Sequence, residues 1–207
     1  MIFSNGELRC FNSILDNKKL FGIKLDEKYD NEEEYISKII DSLKIKSILD
    51  ENSKLTDIGV LPILALREYK NSRNHIIINN FNIALLKDGK SVVIKKEEEG
   101  YRIFFCSREL ILFSIIYSSN FMRKESKDND NVSTEKIQYL KLLIDEKYKR
   151  KNSITLSLYF CTEKVTEKIY SWSDEDGYIY DVINSNRKVM SPKEMRLSLM
   201  EDLRIIS

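Results

Sequence analysis

The groups in this chain that could do chemistry are one histidine (His75), three cysteines (Cys10, Cys106 and Cys161) and 33 acidic residues. A histidine base needs a nucleophile and an orienting acid within hydrogen-bond reach. Nothing near His75 in sequence supplies either. The cysteines are far apart, odd in number and form no CxxC pair. Each sits in an apolar or strand-like stretch, which reads as reduced thiols in a core. No HExxH, GxGxxG or Walker-type phosphate loop occurs, and six glycines spread over 207 residues make no Gly-rich cradle. The acidic runs "EEE" and "DED" lack the alternating oxygen ligands and closing glutamate of an EF-hand loop. The expectation is a chain with no catalytic residue, no metal, no cofactor and no enzymatic activity.

Binding is the other kind of work a surface does. In "KVTEKIYSWS", alternation puts Thr166, Lys168, Tyr170 and Trp172 on one face of a strand and Val165, Ile169 and Ser171 on the other. If Val165 and Ile169 face a core, Tyr170 and the only tryptophan are displayed beside Lys168. Tryptophan and tyrosine are favoured anchors of protein interfaces. The competing reading has the strand covered on both faces, with Trp172 inside. A hairpin spanning Lys87 to Lys90, with Lys87 and Asp88 at its tip, is a second candidate contact.

These residues must be positioned by a packed fold. A chain of this length buries roughly 70% of its unfolded surface. It is 42% hydrophobic and 32% charged, with a formal net charge of +1, an ordinary globular profile without the basic excess of a dedicated nucleic-acid binder. The acidic run "DEKYDNEEE" (26–34) and the basic run "KYKRK" (147–151) read as solvated helix ends. The most apolar window, "LILFSIIYSSNFM", is shorter than the ~20 residues of a membrane span. No charged region followed by an apolar run marks an N-terminal leader. A cytoplasmic protein with no membrane span is expected.

The periodicity predicts helices over 4–18, from 30 or 31 through Leu43, and across "KLTDIGVLPILALREYKNS", where Thr56 caps and Pro62 should kink the helix or delay its start. Four strands follow, "HIIINN", "FNIALLKD", "SVVIKKEE" and "YRIFFCS", with Asp88-Gly89 a strong hairpin signal. Adjacent apolar residues in several of them suggest a sheet covered on both faces. Ser107 caps a helix over 108–122 that is apolar nearly all round and should be deeply packed. "RKESKDNDNVS" is linker-like. A helix over 134–149 comes next, then three strands and a last helix opened by Ser191, Pro192 and Glu194. The organisation expected is an N-terminal half (1–124), a linker (125–133) and a C-terminal half (134–207). The echo of "EEEGYRIFFCSRE" in "DEDGYIYDVINS" suggests that the halves are related. The fold class is α/β or α+β, a mostly antiparallel central sheet flanked by helices in two pseudo-symmetric halves.

The order of a short N-terminal helix ("FSNGELRCFNSIL"), a second helix, the "KLTDIGVLPILALREYKNS" element, a strand meander, an apolar helix and a second strand-and-helix half resembles the EspG-like chaperones of type VII (ESX) secretion systems. It also resembles proteins encoded with such systems in low-GC Gram-positive bacteria. The resemblance implies a cytosolic, non-enzymatic adaptor of quasi-two-fold fold that binds a helical secreted substrate. No nucleic acid is expected as a partner, in line with the net charge. The chain is shorter than mycobacterial members. Two other readings stay open. One is an immunity protein that neutralises a toxin of its own locus, with "DEKYDNEEE" meeting a basic nuclease. The other is a winged-helix DNA binder, for which the "LTDIGVLPILALRE" helix offers only Arg67 and Lys70 to phosphates.

Overall fold

The computed structural model describes residues 1–16, 18–25, 32–125, 134–136, 152–173 and 176–206. Residues 26–31 of the acidic run, most of the expected linker, the basic run and the helix expected beyond 136 lie outside these residues.

Local signals set most element starts. Helix α1 (Asn5–Leu15) opens on Ser4, whose Oγ accepts from Glu7 N–H at 3.2 Å while Glu7 Oε2 accepts from Ser4 N–H at 2.7 Å, a reciprocal capping box. The same glutamate is buried and accepts from Lys46 Nζ at 2.5 Å and from Ser42 Oγ at 2.9 Å, tying α1 to α2 (Glu32–Ile45). Helix α3 runs from Asp57 to Asn71 through Pro62, and its start is not delayed. Thr56 Oγ1 accepts from Gly59 N–H at 3.1 Å and holds the first turn, so Pro62 forgoes only one helical bond.

Strands β1 (Asn74–Ile78), β2 (Phe81–Leu85), β3 (Lys90–Glu97) and β4 (Gly100–Ser107) form an antiparallel meander. Asp88 and Gly89 turn the second hairpin with φ of 55° and 71°, the left-handed backbone that such a tight loop requires. Helix α4 (Arg108–Tyr117) follows β4 directly. Thr134–Lys136, expected to begin a helix, is strand β5. Then come β6 (Ser153–Phe160), β7 (Glu163–Trp172), β8 (Gly177–Asp181), β9 (Asn186–Met190) and helix α5 (Pro192–Asp202). The second half therefore has a four-strand meander, where three strands were expected. β9 reads "NRKVM", and its charges hide the alternation by which strands are recognised.

All nine described strands make one sheet, in the order β4-β3-β2-β1-β6-β7-β8-β9-β5. The fold is α+β, an antiparallel sheet flanked by helices. The two meanders join through their first strands, β1 and β6, antiparallel from Asn74↔Phe160 to Ile78↔Leu156. That pairing relates the halves by a local two-fold axis normal to the sheet, and each half ends in a Ser-capped helix, α4 after Ser107 and α5 after Ser191. The echo that suggested the relationship is itself out of step. Its first acidic turn joins β3 to β4, whereas its second joins β7 to β8, one hairpin earlier in the meander.

Each face of the sheet carries its own core. Ile83 and Val93 on one face join Leu112, Phe121, Tyr170, Met195 and Leu199 under α4 and α5. Their chain neighbours Ala84 and Val92 on the other face join Leu8, Phe11, Leu66 and Tyr69 under α1 and α3. The adjacent apolar residues of the first meander thus mark a sheet covered on both sides. The core under α4 and α5 contains strand residues from both halves, so the halves share a sheet and a core.

Candidate functional site

The reactive groups are dispersed. His75 is buried; its Nε2–H donates to the Tyr69 carbonyl at 3.1 Å, and its ring lies against Phe21 and Tyr69. Burial holds its pKa below the ordinary histidine value, and the Tyr69 carbonyl opposes that shift. Because the folded pKa is the lower one, acid favours the unfolded chain. The contribution of His75 to stability is complete above the unfolded value of about 6.5 and is lost as pH falls from there through the lower folded value. Urea midpoints across that window should drop for the native chain, and the drop should shrink in His75→Gln; equal slopes would refute the assignment. This is the only histidine in the chain. Cys10 and Cys106 are half-buried with thiols pushed up by burial, and Cys161 is exposed. Among the described residues, no three His, Cys, Asp or Glu side chains gather as a metal site. Lys70, which the winged-helix reading would aim at phosphate, has a buried side chain that donates to Asn12 and pairs with Asp16.

The expected aromatic patch does not form. Lys168, Tyr170 and Trp172 do share a face of β7, but that face is turned to α5 and the core. Tyr170 is 0% exposed. Its hydroxyl donates to Asp202 Oδ2 at 2.5 Å and lies 3.0 Å from Ser198 Oγ, while Lys168 Nζ donates to Asp202 Oδ1 at 2.6 Å. Burial, then the Asp202 charge, raises the Tyr170 phenol well above its usual range. Trp172 is half-buried against the same core. Val165, assigned to the core by alternation, is exposed instead. A register shift pairs Leu158 with Thr166 and Tyr159 with Lys164, leaving Val165 as the extra residue of a bulge, which spoils strict alternation. Lys87 and Asp88 are exposed at the β2–β3 turn. That turn abuts the start of α4, where Arg108 N–H donates to Gly89 C=O at 3.1 Å.

Helix α4 supplies the surface instead. An apolar sequence all round predicts burial, yet Leu110, Phe113 and Tyr117 are 56%, 61% and 65% exposed. Their i, i+3, i+7 spacing makes one stripe. The Phe113 and Tyr117 rings stack with centroids 5.8 Å apart, and the Arg123 guanidinium lies 5.6 Å from the Tyr117 ring centre. Beside this stripe is a groove of about 240 Å³. Ile111, Ser114, Ile115 and Ser118 form its helical wall at i, i+3, i+4, i+7; Ile78, Phe81, Ile83, Val93, Phe104 and Ile154 are among the sheet residues below. The two serines are small and internally satisfied. Ser114 Oγ donates to Leu110 C=O at 2.9 Å and Ser118 Oγ to Ile115 C=O at 2.7 Å, so the wall offers a partner little that is polar. Among the described residues no charged side chain lines the groove.

The local two-fold places a counterpart beside α5. There the helical wall is Glu194, Leu197, Ser198 and Glu201, again at i, i+3, i+4, i+7, and Lys168, Asp181 and Lys188 face it across a cleft of about 410 Å³. The two depressions are alike in construction and opposite in chemistry: one can take up apolar side chains, the other is charged.

Comparison with known families gives one match. A family model described as "Domain of unknown function (DUF5081)" covers residues 1–192. No curated protein matches the chain.

Proposed function

Because the chain belongs to the DUF5081 family, whose description assigns no activity, we propose its role from its surface: it is a non-enzymatic protein that seats an amphipathic helix of a protein partner against α4. The observation that carries this reading is the uncovered stripe Leu110, Phe113 and Tyr117 beside an apolar groove. A solvent-facing apolar stripe of this kind marks an interaction site. Helix-in-groove recognition requires an apolar trough with room for side chains at i, i+3 and i+4, and small residues at Ser114 and Ser118 allow a close approach.

The resemblance to EspG-like chaperones extends the proposal to the partner: a helical substrate of a type VII secretion system, held in the cytoplasm before export. Apolar recognition suits a client whose own apolar face must be shielded until then. Among the described residues no helix is long and apolar enough to cross a membrane.

The test is co-purification and calorimetry with the products of the neighbouring genes, where the proposal expects a helical-hairpin protein to bind, using Ser114→Glu and Phe113→Ser. Losing one buried large apolar contact costs about 1.5–3 kcal/mol, so Phe113→Ser should weaken binding roughly 10-fold or more. Ser114→Glu should abolish it by placing a carboxylate in the groove. Both residues are exposed, so melting temperatures should stay at the wild-type value. Wild-type affinity in both variants would defeat the proposal. Capture of a toxin's catalytic domain, unaffected by either change, would support the immunity reading in its place.

A further inference from the structure

The groove beside α4 is apolar inside and basic at its border. Strand register sets that border. On the face turned to α4, Ile83, Val93 and Phe104 sit side by side across β2, β3 and β4. Side chains two apart along a strand share a face, so the next row outward is Phe81, Lys95 and Arg102. Phe81 still lines the groove, and Lys95 Nζ lies 5.5 Å from the centre of its ring. Arg102 completes the row with its side chain 49% exposed. A third cation, Arg123, lies over Tyr117 at the C-terminal end of the exposed stripe.

These cations are under-compensated. Lys95 Nζ is 3.0 Å and Arg102 Nε 3.5 Å from the same Glu97 oxygen, Oε1, so one carboxylate serves both. Arg123 donates to the Asn120 side-chain oxygen, a neutral acceptor. Among the described residues no other carboxylate lies within ion-pair distance of the three. The corresponding row beside α5 differs. It reads Lys168, Asp181 and Asn186, and its lysine is held by the buried Asp202 at 2.6 Å. That cleft sets Asp181, Glu194 and Glu201 against Lys168 and Lys188, so its excess is acidic.

Resting on the reading of the α4 groove as a helix-docking site, we propose that the helix it takes up is acidic along its flanks. The apolar stripe of that segment enters the groove, and its flanking Asp or Glu side chains meet Lys95, Arg102 and Arg123. Apolar contact supplies affinity but does not discriminate among amphipathic helices. The charged border does, because complementary charge around an interface favours one partner and like charge repels another.

The probes are three synthetic helical peptides with one common leucine stripe and flanking residues that are all Glu, all Gln or all Lys. Affinities for the full chain are measured by fluorescence anisotropy. The Glu peptide should bind about 10-fold more tightly than the Gln peptide, as three exposed ion pairs allow, and the Lys peptide more weakly than either. The spread should narrow as salt rises from about 0.05 M to about 0.5 M, because screening shortens the reach of exposed charges. The triple variant Lys95→Gln, Arg102→Gln, Arg123→Gln should lose the Glu preference and keep the wild-type affinity for the Gln peptide. The ranking on wild type decides even if that variant fails to fold. Equal affinities for the three peptides, a preference for Lys, or a Glu preference that persists in the folded triple variant would overturn the acidic partner and leave the groove reading in place. Binding of none of the peptides, or binding of the Gln peptide untouched by Ser114→Glu, would overturn both.

Discussion

Tyr170→Ala should lower the free energy of unfolding by about 3–5 kcal/mol, the range for removing a large aromatic from a core. The ring has no exposed surface and lies among Met195, Leu199 and the residues around them. Its hydroxyl is one of two donors to the buried Asp202 carboxylate. Tyr170→Phe separates these contributions. It keeps the ring and leaves Asp202 with Lys168 alone, which should cost about 1.5–3 kcal/mol, as for a hydrogen bond to a charged group. Denaturant unfolding of the three proteins gives both values. A Tyr170→Ala protein as stable as wild type would mean that this face of β7 is not the packed one, and the displayed aromatic patch would return as a binding surface.

Gly59→Ala should destabilise by roughly 3 kcal/mol, the upper end for overpacking, although alanine is the better helix former by about 1 kcal/mol. A Cβ there would stand 2.3 Å from the Ile48 carbonyl oxygen and 2.8 Å from Leu55 Cδ1. The first obstacle is backbone and cannot rotate away, so α3 must move off the α2–α3 connection. That helix presents Ala65, Leu66 and Tyr69 to the second core, and Tyr69 donates to Phe21 C=O at 2.7 Å. The sign is the informative quantity, because helix propensity alone predicts stabilisation. A rise in the urea midpoint would show that α3 is not held against Ile48.

Much of the fold was legible because it rests on short-range physics. Thr56, Ser107 and Ser191 are readable as caps, because a side-chain oxygen that satisfies a free helical N–H acts within one turn. Asp88-Gly89 marked its hairpin by backbone conformation alone. The first four strands stood out through adjacent apolar residues. β9 was missed because both its faces are half-buried and carry charge. The start of β5 was read as a helix because its place in the sheet comes from pairing with β9, far along the chain.

The site was less legible. The aromatic patch rests on the Val165 and Ile169 face of β7 being the only covered one; Ile169 and Tyr170 are both buried, so the strand is covered on both faces, and the bulge displaces only Val165. The surface that emerged in its place lies on a helix whose apolar character is nearly uniform. Uniform character tells which residues want burial but not which will get it.

By itself, then, the sequence determined most of the element types, the caps and the tight hairpin, since each depends on residues within a few positions of one another. Only the tertiary structure decided that Tyr170 is inside and Phe113 outside, that the two halves share one sheet, and that one flank depression is apolar and the other charged. Those outcomes depend on which distant element covers a given face, and a pattern of hydrophobic residues specifies a demand for burial without naming the neighbour that meets it.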